Sequence, residues 1–135
     1  MRLDGKVAVV TGATSGIGHA IAVRFALEGA RVAAVGRDPG RLESVRRAIA
    51  ASGGECLPLQ VDLLRLHEIE EMIGKVVAAF GRLDILVNSA GVFELCDFLS
   101  VSEASFDRTV DVNLKSLFFA SQSAARVMKS QGRGK

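Results

Sequence analysis

The sequence predicts an α/β fold built on an open, doubly wound parallel sheet with helices on both faces. Short apolar runs rich in β-branched residues alternate with longer segments of helical period, which is the pattern of repeated βα units. Most of these runs are continuously apolar, as expected for strands covered on both faces. With 135 residues, 49% of them hydrophobic, the chain is long enough for one domain, residues 1–135, with a buried core.

Four strands are predicted, and one of them has a special position. The strands are Val7 to Val10, Val32 to Val35, Glu55 to Val61 and Ile85 to Val87. The third contains Pro58, which cannot donate a hydrogen bond to a neighbouring strand and is best tolerated at a sheet edge. Right-handed crossovers favour the strand order 3-2-1-4, which places the Pro58 strand at one edge.

Apolar spacing predicts the buried face of each of the first three helices. The expected core residues are Ile17, Ile21 and Phe25 in the first helix, Leu42, Val45 and Ile49 in the second, and Ile69, Met72, Ile73, Val76, Val77 and Phe80 in the third. The second of these helices is expected to begin at Pro39, directly after Asp38.

A final long helix, about Glu103 to Ser130, shows two apolar surfaces. The main one, expected to cover the sheet, consists of Phe106, Val110, Leu114, Leu117, Ala124 and Met128. Val112 and Phe119 lie on nearly the opposite side, beside the small Ser116 and Ser123. They form either a surface for a second copy of the chain or scattered exposed side chains.

Composition excludes several classes of function. The formal charge of +2 is too small for a nucleic-acid footprint, and no apolar run reaches the roughly 20 residues that span a bilayer. The amino terminus lacks a secretory signal, so a cytoplasmic location is expected. Cys56 and Cys96 have no metal-ligand spacing and are interpreted as buried or incidental thiols, so no metal site is predicted.

The turn after the first strand is rich in glycine and leads directly into a helix. It reads Thr11-Gly12-Ala13-Thr14-Ser15-Gly16-Ile17-Gly18. Glycines let the backbone turn tightly and let a pyrophosphate approach the N–H groups at the helix start, which attract negative charge. The turn therefore predicts a nucleotide cradle, with a merely tight strand-to-helix connection as the alternative.

Further motifs follow at compatible spacings along the chain. They are Val61-Asp62-Leu63 after the third strand, Asn88-Ser89-Ala90-Gly91 after the fourth, and Asp111-Val112-Asn113 in the last helix. With the G-x-x-x-G-x-G turn, this set resembles the short-chain dehydrogenases/reductases, an extended Rossmann family. The resemblance implies reduction of a carbonyl or oxidation of an alcohol by hydride transfer to or from a nicotinamide cofactor.

The resemblance implies a role for each matching residue. The pyrophosphate would be held by Gly12, Gly16, Ile17 and Gly18, and the adenosine ribose or phosphate would be contacted by Thr14 and Ser15. The adenine would lie at Asp62 and the backbone of Leu63. The cleft would be lined by Asn88, Ala90 and Gly91. Asp62 and Asn88 also belong to residue types that cap helices and form turns, which is the alternative for both.

The end of the second strand discriminates between the two nicotinamide cofactors. A carboxylate there would bind the adenosine 2′-hydroxyl, but this chain has Gly36 followed by Arg37. A guanidinium suits the additional phosphate, so NADP(H) is favoured and NAD(H) stays possible. Asp38 either reduces that positive charge or turns away as a helix cap.

The catalytic set implied by the resemblance is incomplete. Asn113 matches the asparagine that helps to hold a water in a proton relay, but the chain contains no tyrosine and therefore no Tyr-x-x-x-Lys pair. Neither His19 nor His67 has an evident partner that would make it a substitute acid or base. The chain is therefore expected to be a truncated cofactor-binding half that is inactive alone. A non-catalytic module that senses cofactor or pairs with another chain is the alternative.

The predicted fourth strand has no neighbour on its outer side. Gly132-Arg133-Gly134-Lys135 resembles the start of a fifth strand, and without that strand Ile85 to Val87 would form an open apolar edge. Two copies are therefore expected to pair through this edge or through the last helix. A complementing carboxy-terminal fragment is the other candidate partner.

Overall fold

The computed structural model describes residues 1–135 and contains a four-stranded parallel sheet in the order β3-β2-β1-β4. The strands are β1 (Val7–Thr11), β2 (Arg31–Gly36), β3 (Cys56–Gln60) and β4 (Ile85–Asn88), and the α-helices are α1 (Gly16–Leu27), α2 (Pro39–Ala51), α3 (Leu66–Phe80), α4 (Glu103–Val110) and α5 (Ser116–Gln131). A 3₁₀ turn, Phe98–Ser100, precedes α4, and a π-helical turn, Asp111–Lys115, joins α4 to α5. The predicted fold class and strand order are confirmed, and Pro58 lies on edge strand β3.

Two apolar layers enclose the sheet. Because neighbouring strand residues point to opposite faces, Val9 and Val35 pack towards α3 and α5, whereas Val10 and Val32 pack towards α1 and α2. All of β1 is buried, as expected for a central parallel strand with helices on both sides. No helix combines the length and apolar composition that crossing a bilayer requires.

The buried face of α2 is the predicted one, and so is that of α3 except for the half-buried Val77, but the buried face of α1 is not. The residues of α1 that are buried are Gly18, Ala22 and Ala26, whereas Ile17 is 76% exposed at the helix start. Ile21 and Phe25 are only half-buried at the margin of the layer between α1 and α2. Small side chains let the helix backbone lie close to the sheet, so this face is not marked by large apolar residues.

The predicted sheet-covering stripe of the last helix is wrong for three of its members. Phe106, Leu114 and Leu117 are exposed, while α5 turns Ser116, Ala120, Ser123 and Ala124 inwards. For Leu114 and Leu117 the cause is the π-helical turn, in which the Ser116 N–H donates to the carbonyl oxygen of Asp111 and the Ser116 hydroxyl donates to the carbonyl oxygen of Val112 at 2.6 Å. Phe106 lies before that turn, in α4, which has no buried residue. One additional residue in a turn rotates everything after it by about 100° relative to a continuous α-helix.

The same rotation changes the second predicted surface. Ser116 and Ser123, expected beside an outward surface, are buried within the chain, where α5 packs against α3. Exposed apolar side chains are concentrated in and after the loop that follows β4. Those in this part of the chain are Phe93, Leu95, Phe98, Leu99, Val101, Phe106, Leu114, Leu117 and Phe118, and those elsewhere are Met1, Ile17, Leu27 and Leu64.

The outer edge of β4 is partly covered by the end of the chain itself. The Lys135 N–H donates to the carbonyl oxygen of Asp84, and the Leu86 N–H donates to the carbonyl oxygen of Lys135, both at 2.9 Å. These two bonds follow the spacing of a parallel strand pair. The edge is therefore less open than the sequence alone suggests.

A buried carboxylate fixes the start of β1 against the start of β4. Asp84 is 5% exposed and accepts hydrogen bonds from the Val7 N–H at 3.0 Å and from Arg82 Nε at 2.7 Å. Burial alone would raise the pKa of Asp84. The hydrogen bonds from Arg82 and Val7, with the charges of Arg82 and Lys6, outweigh it and lower that pKa below its ordinary value.

We expect Asp84→Ala to lower the free energy of unfolding at pH 7 by about 2–3 kcal/mol, because it leaves the buried Val7 N–H without its acceptor. Since folding lowers the pKa of Asp84, its contribution is present above the unfolded value of about 3.9 and is lost as the pH falls through the folded value. Urea unfolding should therefore show a smaller difference between wild type and variant at pH 3 than at pH 7. Asp107→Ala, which removes an exposed carboxylate, is the matched control; equal losses in both variants would contradict the role of Asp84.

Candidate cofactor cleft

A cleft of about 200 Å³ lies where the carboxyl ends of β1, β2 and β4 meet at one edge of the sheet. Eight predicted site residues line it: Gly12, Thr14, Ser15, Arg37, Asp62, Leu63, Ala90 and Gly91. Its other lining residues are Val35, Gly36, Arg41, Val61, Leu64, Val92, Arg108 and Val112. Ligand sites of open α/β sheets lie at this edge, so topology and cleft agree.

Gly12 and Gly18 bring the turn after β1 close to its neighbours. Gly12 has φ +67°, and a Cβ there would lie 2.8 Å from the Cα of Ala90 in the loop after β4. A Cβ on Gly18 would overlap the carbonyl oxygen of Gly12. Gly16 differs, because a Cβ there would meet nothing within 4 Å. Two glycines are thus required for packing, and the third leaves open space at the start of α1.

The hydroxyl of Thr11 ties the ends of β1 and β4 together. It donates to the carbonyl oxygen of Val87 at 3.3 Å and accepts from the N–H groups of Ser89 at 3.1 Å and Ala90 at 3.2 Å. Thr11 is buried, so the loop after β4 obtains its hydrogen bonds from a side chain and not from water. Its position at the end of an apolar strand was the only signal that sequence offered for this role.

Asp62 lines the cleft and at the same time forms a turn. Its Oδ1 accepts from the Leu64 N–H at 3.1 Å, and its Oδ2 lies 3.7 Å from Arg65 Nε. The turn that the sequence left as an alternative is therefore present. Oδ2 accepts no hydrogen bond from protein and is the carboxylate atom available to a ligand.

The two candidate asparagines connect the last helices to β4 and its loop. Asn88 donates from Nδ2 to the hydroxyl of Ser121 at 3.0 Å. Asn113 lies in the π-helical turn, where its Oδ1 accepts from the Val92 N–H and its Nδ2 donates to the Val92 carbonyl oxygen, both at 2.8 Å. The Asn113 amide therefore holds the loop after β4 against the π-helical turn. Asn113 itself does not line the cleft; of the residues in this turn, Val112 does.

The carboxylate of Asp38 is used as a helix cap. Its Oδ1 accepts from the Arg41 N–H at 2.9 Å at the start of α2, while Gln60 Nε2 donates to the Arg37 carbonyl oxygen at 3.1 Å. Arg37 and Arg41 both line the cleft, and neither forms an ion pair. Of the two alternatives for Asp38, the structure shows the cap.

Some predicted residues lie outside the cleft, and some cleft residues were not predicted. Gly16, Ile17, Gly18 and Asn88 border or support the turns without lining the cleft. Arg41, Arg108 and Val112 were missed as lining residues. Arg108 and Val112 are four residues apart and so share a helix face, which was the only available indication.

The thiols and histidines form no second reactive centre at this site. Burial raises the pKa of Cys56, on edge strand β3, to about 11, so its thiol is protonated at neutral pH. Cys96 is exposed in the loop after β4, and neither His19 nor His67 lines the cleft. No group of three or more His, Cys, Asp or Glu side chains is arranged to hold a metal ion.

Comparison with known proteins identifies the family. The family described as short chain dehydrogenase matches residues 6–135 of the chain. The chain belongs to the short-chain dehydrogenase family. L-rhamnose 1-dehydrogenase (NAD(P)(+)) of Azotobacter vinelandii is 41% identical over 138 aligned positions, which cover 99% of this chain and 54% of that relative. The chain thus spans about half the length of the curated relatives that it matches.

Solved structures give the same assignment. A metagenomic short-chain oxidoreductase in complex with NADP superposes with a TM-score of 0.94 at 40% identity, covering 99% of this chain and 61% of that one. A 7α-hydroxysteroid dehydrogenase complexed with NADH also reaches 0.94, at 34% identity, covering 98% of this chain and 52% of that one. The family resemblance and the Rossmann-like fold are confirmed, and dinucleotide binding is a property of the family.

Gly12 and Gly16 should differ in their tolerance to a methyl group. Gly12→Ala adds both a left-handed backbone penalty and a contact with Ala90, so we expect a loss of about 3 kcal/mol in the free energy of unfolding. Gly16→Ala should cost about 1 kcal/mol, because only the backbone penalty applies. Chemical denaturation would measure both. Gly74→Ala is the control: it sits in α3 with open space and should stabilise by about 0.5–1 kcal/mol. Equal losses at residues 12 and 16 would refute the packing argument.

Proposed function

We propose that this short-chain dehydrogenase chain is the cofactor-binding half of an NADP(H)-dependent oxidoreductase. The observation that carries the proposal is that Arg37, directly after β2, has no ion pair with its neighbour Asp38. A carboxylate at this place would repel a 2′-phosphate, but the Asp38 carboxylate binds the Arg41 N–H and caps α2. Arg37 faces the cleft without an acidic partner and offers a planar fork to a phosphate.

We propose the remaining roles from the family resemblance, supported by the residues among them that line the cleft. Thr14 and Ser15 would contact the adenosine ribose or phosphate, and Gly12, Gly16, Ile17 and Gly18 would leave room for the pyrophosphate at the start of α1. Asp62 Oδ2 would accept from the adenine amino group, with Leu63 beside it. Ala90 and Gly91 would continue the cleft wall, and Asn88 would support the adjoining strand end through its bond to Ser121. The bound cofactor supplies or accepts a hydride; the chain's own residues bind it and orient it.

We further propose that this chain alone binds the cofactor without turning over a substrate. It has no tyrosine to transfer the proton, and the Asn113 amide is engaged at both polar atoms with Val92. Asn113 is therefore assigned a positioning role in this chain. The substrate class proposed for the longer enzyme is a ketone or the corresponding alcohol.

One observation favours a second candidate function. Large apolar side chains, among them Phe93, Leu95, Phe98 and Leu99, are more than 80% exposed on the loop after β4. Exposed apolar patches of this kind mark surfaces that contact another protein segment. This supports the alternative of a cofactor-sensing module that pairs with a partner chain or with a second copy.

Calorimetric titration would test the cofactor assignment. We expect the chain to bind NADP⁺ more tightly than NAD⁺, and Arg37→Ala to weaken NADP⁺ binding about 10- to 100-fold by removing a charged hydrogen bond to phosphate. Binding of NAD⁺, which has no 2′-phosphate, should change less than about twofold in this variant. NAD⁺ bound at least as tightly as NADP⁺ by the wild-type chain would contradict the proposal.

Absorbance at the nicotinamide band would test the proposed inactivity. The purified chain mixed with NADPH and a panel of ketones should show no oxidation above the rate without protein, because the proton-transferring tyrosine is missing. A segment carrying the Tyr-x-x-x-Lys pair, added as a separate fragment, should produce turnover. Turnover by the chain alone would overturn the assignment.

A further inference from the structure

The cleft is lined by arginines that have no acidic partner. Arg37, Arg41 and Arg108 line it, whereas the ion pairs of the molecule engage Arg24, Arg46, Arg47, Arg65, Arg82, Arg126 and Arg133. An unpaired guanidinium keeps its charge and its donors for a ligand. Arg2 and Arg31 also form no ion pair but do not line the cleft, so Arg37, Arg41 and Arg108 are the unpaired arginines that a ligand in the cleft would meet.

A backbone hydrogen bond of Arg41 fixes the turn of α2 that lies at the cleft. Its N–H donates to Asp38 Oδ1 at 2.9 Å, which sets the first turn of α2 directly after Gly36 and Arg37. The acceptor of this bond, Asp38, carries the carboxylate nearest in sequence to both Arg37 and Arg41. Asp38 is thereby bound to the backbone and forms no ion pair with either guanidinium.

The only other acid on α2 is also unavailable to Arg41. Glu43 accepts hydrogen bonds from Arg46 at 2.7 Å and from Arg47 at 3.0 Å. These two bonds hold the pKa of Glu43 at about 2, so its charge is present and already matched at neutral pH. Two arginines further along the helix thus satisfy the acid that would otherwise pair with Arg41.

We propose that Arg41 is a second specificity-determining residue, which binds the adenosine 2′-phosphate of NADP(H) together with Arg37. The inference rests on the proposed function and deepens it. A phosphate monoester carries a charge of about −1.5 to −2 at pH 7 and three acceptor oxygens, more than one guanidinium satisfies. Two guanidinium groups, one from the end of β2 and one from the first turn of α2, supply donors for all three oxygens.

The test is the ratio of NADP⁺ to NAD⁺ affinity, measured by calorimetry on the full 135-residue chain. Arg41→Ala should lower this ratio about tenfold, because it removes a charged hydrogen bond that only NADP⁺ can form. Arg41→Lys keeps the charge without the fork and should lose less. A merely structural role of Arg41 would change the affinities for both cofactors together, and so would leave the ratio unchanged.

Arg126→Ala is the matched control. It removes an exposed arginine of α5 that lies away from the cleft and from Glu43, and it should leave the ratio unchanged. Thermal unfolding of each variant would show that the fold is retained.

The outcomes separate the inference from the proposed function. If the wild-type chain prefers NADP⁺ and Arg37→Ala removes that preference while Arg41→Ala keeps it, the role of Arg41 is wrong and the proposed function stands. If Arg41→Ala weakens both cofactors equally, the inference also fails. A wild-type chain without any preference for NADP⁺ would remove the proposed function itself.

Discussion

The site depends on one buried hydroxyl. Thr11, at the end of the central strand β1, binds the carbonyl oxygen of Val87 and the N–H groups of Ser89 and Ala90. Replacing that hydroxyl by a methyl group would leave two N–H groups of the β4 loop without partners, at a cost of about 1–3 kcal/mol for each one that stays buried. Gly12 can lie against Ala90 only because this loop is held there. The Thr11 contacts thus hold the turn after β1 against the loop after β4 at the cleft.

The helical segment from α4 to α5 is attached at three points to β4 and to the chain directly before and after it. Asn113 binds both backbone groups of Val92, Ser121 accepts from Asn88, and Gln131 binds both backbone groups of Leu83 at 2.9 and 2.7 Å. These contacts hold α4, the π-helical turn and α5 in one register along the strand. Val112 and Arg108 consequently face the cleft.

Sequence reasoning predicted the sheet well, because strand order depends on a few strong constraints. Continuous apolar runs, Pro58 and right-handed crossovers together determine the order β3-β2-β1-β4. It failed where packing depends on small residues or on an irregular turn. The close face of α1 consists of Gly18, Ala22 and Ala26, and no periodic pattern reveals the π-helical turn that rotates α5. The cleft residues that followed motifs were found. Arg41 was missed because no motif marks it, although the Asp38 cap that precedes it was one of the alternatives that the sequence offered.

The central claim is that a dinucleotide binds at the carboxyl ends of β1, β2 and β4 of this chain. Amide NMR of the ¹⁵N-labelled protein during titration with NADP⁺ tests it most directly, because every turn around the cleft carries its own backbone signals. The account predicts that the largest shifts fall in residues 12–18, 36–41, 61–64 and 88–92, and that α3 and the outer face of α5 stay unchanged. Shifts confined to another surface, or no shifts at millimolar NADP⁺ with the folded chain, would contradict it.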